Sequence, residues 1–215
     1  MEFKLSPSAL GLMKECPRCF WLTKHNAWKR PSGIFPTLPN GMDRILKTHF
    51  DKFMEKGEMP PELCENNLCE GMKLFDDKAR LEGWRNNFIG VRWRAEDGNT
   101  LFGAVDNLLM KDGKLIVLDY KTRGFPLKAE TPGYSQSQMN LYNLLLRKNG
   151  YLTEDFAFLL FYVPKEVTPT GEVVFDTTLI KQSIDVKQAE ELFRKAITLL
   201  NGECPQEKCA WCKNV

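Results

Sequence analysis

Asp106, Asp119 and Lys121 are the residues whose types and spacing point most directly to chemistry. They lie in GAVDNLLMKDGKLIVLDYKT, residues 103–122, where an apolar stretch, a turn at Asp112-Gly113 and a second apolar stretch end in Asp-Tyr-Lys. Carboxylates and ammoniums are seldom fully buried unless they are paired or put to use. Along an extended segment alternate side chains share a face, so Asp119 and Lys121 project the same way, one pleat apart. Closing the Asp112-Gly113 hairpin brings Asp106 alongside Asp119. Two such carboxylates suit a hard divalent cation such as Mg2+, which takes oxygen ligands and keeps waters. The ion would activate a water and polarise a phosphate, while Lys121 orients that water or stabilises charge on a phosphoryl oxygen. The competing arrangement is structural, with Asp119 ion-paired to Lys121 at a strand end and Asp106 in a bulge or polar edge.

The second group with chemistry is sulfur. Cys-x-x-Cys occurs at residues 16–19 and again at 209–212, near opposite ends of the sequence. Four thiolates so arranged suit tetrahedral Zn2+ or an iron-sulfur cluster, and the set Cys16, Cys19, Cys209 and Cys212 is favoured because each pair is a ready chelator. The odd total of seven cysteines fits metal ligation better than a disulfide framework; Cys64 and Cys69 receive no role.

These residues need elements to hold them. Ser6-Pro7 reads as a helix start, and the helix runs on through residue 25 with a break or kink at Pro17 beside the first cysteine pair. A Pro- and Gly-rich loop covers residues 29–41, a helix follows from Met42 to Lys56, residues 57–71 read as irregular, and residues 72–87 as a weakly patterned helix. From Ile89 the texture becomes that of strands: FIGVRWRAE, TLFGAVDNLLM and KLIVLDYKT form an antiparallel meander of three strands. A helix from Tyr134 to Asn149 closed by Gly150, strands in DFAFLLFYVP and GEVVFDTTLI, and an amphipathic helix in DVKQAEELFRKAITLLNG complete the order. Helices, meander, helix, strands and helix in that order describe a mixed sheet flanked by helices, an α/β (α+β) chain forming one domain over residues 1–215.

The net charge of +2 does not announce a nucleic-acid binder, but residues 1–52 carry nine Lys and Arg against four acids, which makes either a basic patch or a solvated helix face. In FWLTKHNAWKR, Phe20, Trp21 and Trp28 lie among basic residues and could stack on unpaired bases, although core packing is the ordinary use of each. No apolar run is long enough to span a bilayer and no signal-peptide pattern is present, so the expectation is a cytoplasmic protein without a membrane partner.

On the segment SQSQMNLYNLLL, Gln138 and Tyr142 stand four residues apart on one helix face. Alone that pair says little. Together, Gly-x-x-Asp (103–106), Asp-x-Lys (119–121) and Gln-x-x-x-Tyr (138–142), in this order, resemble the RecB-like branch of the PD-(D/E)XK nuclease superfamily. The resemblance implies a restriction-endonuclease-like core and a DNA nuclease dependent on Mg2+ or Mn2+. It further implies metal ligands at Asp106, Asp119 and the main-chain carbonyl of Tyr120, Lys121 serving the attacking water, and Gln138 and Tyr142 supporting the site or touching DNA. Relatives often add a ligand from an early helix. Here the corresponding segment is GMDRILKTHFD, with His49 preferred and Asp43 second, the distance from Gly41 to His49 being longer than the pattern.

Within that branch, nucleases of the CRISPR-adaptation type and nuclease domains of helicase-nucleases hold a 4Fe-4S cluster with one N-terminal and three C-terminal cysteines. The resemblance therefore adds Cys16 with Cys204, Cys209 and Cys212 as an alternative ligand set, and it puts the cluster ahead of Zn2+. The expected substrate is single-stranded or frayed DNA in repair, recombination or defence; exonuclease and endonuclease cleavage, and DNA and RNA, both stay open at this point, and a helicase or other DNA-processing protein is a candidate partner. The competing expectation is a DNA-binding or interaction module that keeps the fold and does not cut.

Overall fold

The computed structural model describes residues 1–31, 33, 37–64 and 66–215. Parts of the two segments expected as loops, residues 32, 34–36 and 65, lie outside the described residues. Helix α1 (Pro7–Glu15) starts at Ser6, whose hydroxyl accepts from the Ala9 N–H. Pro17 then breaks the expected single helix, and α2 (Pro17–Lys24) begins with the Cys16 sulfur in the capping position, accepting from the Cys19 N–H. Helix α3 (Thr37–Lys56) begins earlier than the expected Met42. Residues 57–71 contain the short helix α4 (Pro61–Cys64) and a 3-10 turn at Asn67–Cys69. The helix expected over 72–87 is shorter, α5 (Lys78–Arg85) with Asp77 as its cap, because Lys73–Leu74 pairs as a strand instead.

The strands divide between two sheets. The smaller one joins β1 (Lys4–Leu5), β4 (Thr100–Gly103) and β3 (Val91–Arg94) in the order β1-β4-β3. The larger has the order β2-β5-β6-β7-β8, from β2 (Lys73–Leu74), β5 (Asn107–Lys111), β6 (Lys114–Thr122), β7 (Phe156–Val167) and β8 (Val173–Ser183). Strands β5 and β6 are antiparallel across the Asp112-Gly113 turn, where Asp112 and Gly113 both adopt positive φ. Strands β6 and β7 are parallel, which requires a crossover; α6 (Gln136–Lys148) makes it.

The expected three-stranded meander is therefore interrupted. TLFGAVDNLLM is not one strand: pairing stops at Gly103, and residues 104–106 carry the chain from the small sheet to the large one. The cause is local packing. A Cβ on Gly103 would lie 2.7 Å from Cε1 of Tyr142, so the absent side chain admits a tyrosine ring from α6 against the end of β4.

Side-chain alternation on β6 separates two cores. Leu115 and Val117, with Leu159 and Phe161 of β7, pack with buried residues of α1, α6 and α7 (Val186–Asn201). Ile116, Leu118 and Tyr120, with Phe158, Leu160 and Tyr162, pack with Leu46 and Phe50 of α3 and Leu63 of α4. Asp119 and Lys121 continue the first of these rows, so they emerge where the α6 side of the sheet opens.

Candidate active site

Asn107 pairs with Leu118, and continuing that register by one residue sets Asp106 opposite Asp119. The Asp119 side chain is 2% exposed and that of Asp106 19%. Asp106 Oδ2 accepts from the Tyr120 backbone N–H at 3.1 Å, which binds the bend to β6. Lys121 Nζ sits 2.5 Å from Asp119 Oδ2 and donates to Gln138 Oε1 at 3.0 Å; Gln138 Nε2 in turn donates to the Tyr142 hydroxyl at 2.8 Å. The helical spacing of Gln138 and Tyr142 thus becomes one continuous chain of contacts from α6 to the carboxylates. Tyr120 points its ring to the opposite core, where its hydroxyl accepts from Asn107 at 2.6 Å.

The two early-helix candidates part company. Asp43 joins the site through Lys47, whose ammonium lies 2.8 Å from Asp43 Oδ2 and 3.1 Å from Asp106 Oδ1. His49 turns elsewhere: its Nε2 lies 3.1 Å from Glu62, which also accepts from the Tyr162 hydroxyl at 3.0 Å, and Phe53 packs against the ring. Two side chains that contact the candidate site went unnoticed in the sequence. Lys47 has one legible signal, the four-residue acid-to-base spacing from Asp43 on a helix. Arg85, its side chain 9% exposed, donates to the Asp106 main-chain carbonyl and to Asp51, each at 2.6 Å. Nothing in the sequence marks it, because its partners come from two other elements.

The electrostatics are those of crowded carboxylates. Burial first, and then the neighbouring Asp106 charge, push Asp119 up to about 7, against the pull of Lys121 and Lys47. Burial works to lower Lys47, but Asp106 and Asp43 outweigh it and hold the ammonium above its usual range. Asp119 Oδ2 is shielded from solvent and, apart from its ion-pair contact with Lys121, has no hydrogen-bond partner. A buried, under-satisfied carboxylate oxygen beside a second carboxylate is a fitting place for a divalent cation, which would reverse the mutual repulsion.

Beside Gln138 and Tyr142 a groove of about 700 Å³ runs between the start of α1, the end of β4 and residues 133–138, and Lys14 and Tyr134 line it. Tyr134 is 77% exposed. The aromatics of the basic N-terminal stretch are not in this groove. Phe20 is buried in the main core, Trp21 stacks on His25 and donates to the Gly202 carbonyl, and Trp28 packs by the cysteines.

The four cysteines of the two Cys-x-x-Cys pairs meet at the junction of α1 and α2, with one Sγ from each of Cys16, Cys19, Cys209 and Cys212 within 4.8 Å of all the others. They form a group that could hold a metal. Cys204 stands apart, its sulfur accepting from Arg18 at 3.4 Å. Cys64 is exposed, and Cys69 is buried in the α3-side core.

The chain has a mixed α/β fold, with helices packed on mixed sheets, in which two carboxylates and a lysine meet at a strand end. The family model for the PD-(D/E)XK nuclease superfamily matches residues 43–214, and the chain belongs to that superfamily. No curated protein matches. Among solved structures, one titled "Crystal structure of SSO0001" aligns over 96% of this chain and 80% of that one, with 12% identity and a TM-score of 0.43. No helix among the described residues is long and apolar enough to cross a membrane.

Proposed function

We propose that this chain is a Mg2+- or Mn2+-dependent deoxyribonuclease of the RecB-like branch, a cytoplasmic enzyme that hydrolyses phosphodiester bonds in single-stranded or frayed DNA. Residues 1–215 act as one domain in this reading. The observation that carries it is the convergence of Asp106, Asp119, Lys121 and Gln138 at one strand end, within 3.0 Å from Lys121 to Asp119 on one side and Gln138 on the other. A divalent cation held by Asp106 and Asp119, with the Tyr120 carbonyl as a further oxygen, would polarise the phosphate and lower the pKa of a water.

The chain's own residues supply the rest. Lys121 is held between a carboxylate and an amide oxygen, which take two of its three donors and leave one for a water or phosphoryl oxygen. Gln138 and Tyr142 keep that ammonium in place, and Arg85 holds the Asp106 main chain from behind. Single-stranded DNA is supported by the groove at Lys14 and Tyr134, where an exposed ring offers a base a stacking face and an ammonium offers a phosphate a partner. A role in repair, recombination or defence beside a helicase follows from the branch alone.

One observation favours the second reading, a DNA-binding module that does not cut: Lys47 bridges Asp43 and Asp106, occupying carboxylate oxygens that a cation would use. The deciding experiment measures cleavage of labelled single-stranded and duplex DNA with Mg2+, Mn2+ or neither. Metal-dependent cleavage lost in Asp119→Ala is expected. DNA binding without cleavage by the wild type under either ion would overturn the enzyme reading.

A further inference from the structure

We propose that the four-cysteine site is built for a single tetrahedral ion, zinc by its donor set, and not for the 4Fe-4S cluster found in related nucleases. The argument rests on sulfur spacing. Cys16 and Cys212 Sγ are 3.9 Å apart, Cys19 and Cys209 3.5 Å, Cys209 and Cys212 3.7 Å. Four sulfurs around one Zn2+ at Zn–S about 2.3 Å stand at the corners of a tetrahedron with edges of about 3.8 Å. In a 4Fe-4S cluster each thiolate binds a different iron at a corner of a cube, which sets the sulfurs roughly 6 Å apart. The sulfurs here all fall within 4.8 Å of one another, so a cube would have to force both loops outward, while a single ion fits between them.

The loops themselves support the assignment. In each Cys-x-x-Cys a backbone N–H of the second cysteine turns back onto the first: the Cys19 N–H reaches Cys16 Sγ at 3.4 Å, and the Cys212 N–H donates to the Cys209 carbonyl at 3.2 Å. These contacts close each turn and hold both sulfurs of a pair toward one point. Three of the four cysteines are buried, and Arg30, whose guanidinium lies over the Trp211 ring, brings positive charge beside them. Cys204 lies outside the group because Arg18 holds it, so the ligands are two from each pair and not one with three. The ion then clamps the α1–α2 junction to residues 209–212, a tie between distant parts of the chain that does not change charge with redox state. This assignment is independent of the nuclease reading.

The test uses the 215-residue chain purified anaerobically from iron-replete and zinc-replete cultures, with metal and acid-labile sulfide measured on both. One zinc per chain, no sulfide and no absorbance near 400 nm are expected in both, and replacement by Co2+ should give the visible bands of a tetrahedral tetrathiolate. Cys209→Ser is expected to lose the ion and Cys204→Ser to keep it. About four irons with matching sulfide from the iron-replete culture would overturn the proposal, as would wild-type protein without bound metal. Loss of zinc in Cys204→Ser would overturn the ligand set. The wild-type stoichiometry decides the metal even if a cysteine variant fails to fold.

Discussion

Replacing Gly103 by alanine tests the coupling between the Gly-x-x-Asp bend and the Gln-x-x-x-Tyr helix. The added Cβ would lie 2.7 Å from Cε1 and 3.1 Å from Cδ1 of Tyr142, and 3.2 Å from Cδ1 of Leu145. Ordinary contact begins near 3.4 Å, so the ring must retreat by at least ~0.7 Å. Tyr142 is 6% exposed and has packed neighbours behind it, so the shift is resisted. Overpacking of this kind costs about 1–3 kcal/mol, which for a chain of this length lowers Tm by roughly 2–12 °C. The same displacement moves the Tyr142 hydroxyl, and with it Gln138 and the Lys121 ammonium. Misplacement approaching 1 Å at a catalytic group can cost on the order of 100-fold in rate, so nuclease kcat should fall ~10- to 100-fold with a smaller change in KM. Calorimetry and steady-state cleavage check both effects. In the Gly103→Ala background, Tyr142→Leu should recover part of the lost Tm, a coupling of at least ~0.5 kcal/mol. Unchanged Tm and wild-type cleavage in Gly103→Ala would refute the claim that the glycine exists to admit the tyrosine.

Two further outcomes follow from the carboxylates. Because Asp119 is pushed up to about 7 by burial and by Asp106, the folded protein without added Mg2+ or Mn2+ holds a proton there that the unfolded chain releases near pH 4. Its stability should fall as pH rises from about 4 to 7, and Asp119→Asn should melt higher than wild type at pH 8, the difference closing near pH 4; a pH series of thermal melts measures this, and a lower Tm for Asp119→Asn at pH 8 would contradict it. Lys47→Met removes the ammonium between Asp43 and Asp106 and should tighten Mn2+ binding at least ~3-fold by calorimetric titration, whereas unchanged or weaker binding would show that Lys47 does not compete with the cation.

Much of the site was legible because it rests on local geometry. The alternation that puts Asp119 and Lys121 on one face, the hairpin turn that aligns Asp106 with Asp119, and the four-residue step from Gln138 to Tyr142 are properties of short segments. Residues whose roles depend on a partner from another element were not legible. Arg85 matters only because α5 brings it to the bend before β5 and to Asp51 of α3. His49 and Asp43 lie on the same helix, and only packing decides that one meets Glu62 and Tyr162 while the other is bridged to Asp106 by Lys47.

The amino-acid sequence by itself carried the main helices and strands from α1 to α7, the three ordered motifs within the range that the superfamily model matches, and the two cysteine pairs, because each is written in contiguous residues with a fixed backbone period. Only the tertiary structure decided that TLFGAVDNLLM divides between two sheets, that Cys204 is held by Arg18 outside the sulfur group, and that four sulfurs stand at the spacing of one tetrahedral ion. The reason is that these depend on contacts between residues up to 196 positions apart, where backbone periodicity carries no information and excluded volume, charge pairing and the absent side chain of Gly103 choose the outcome.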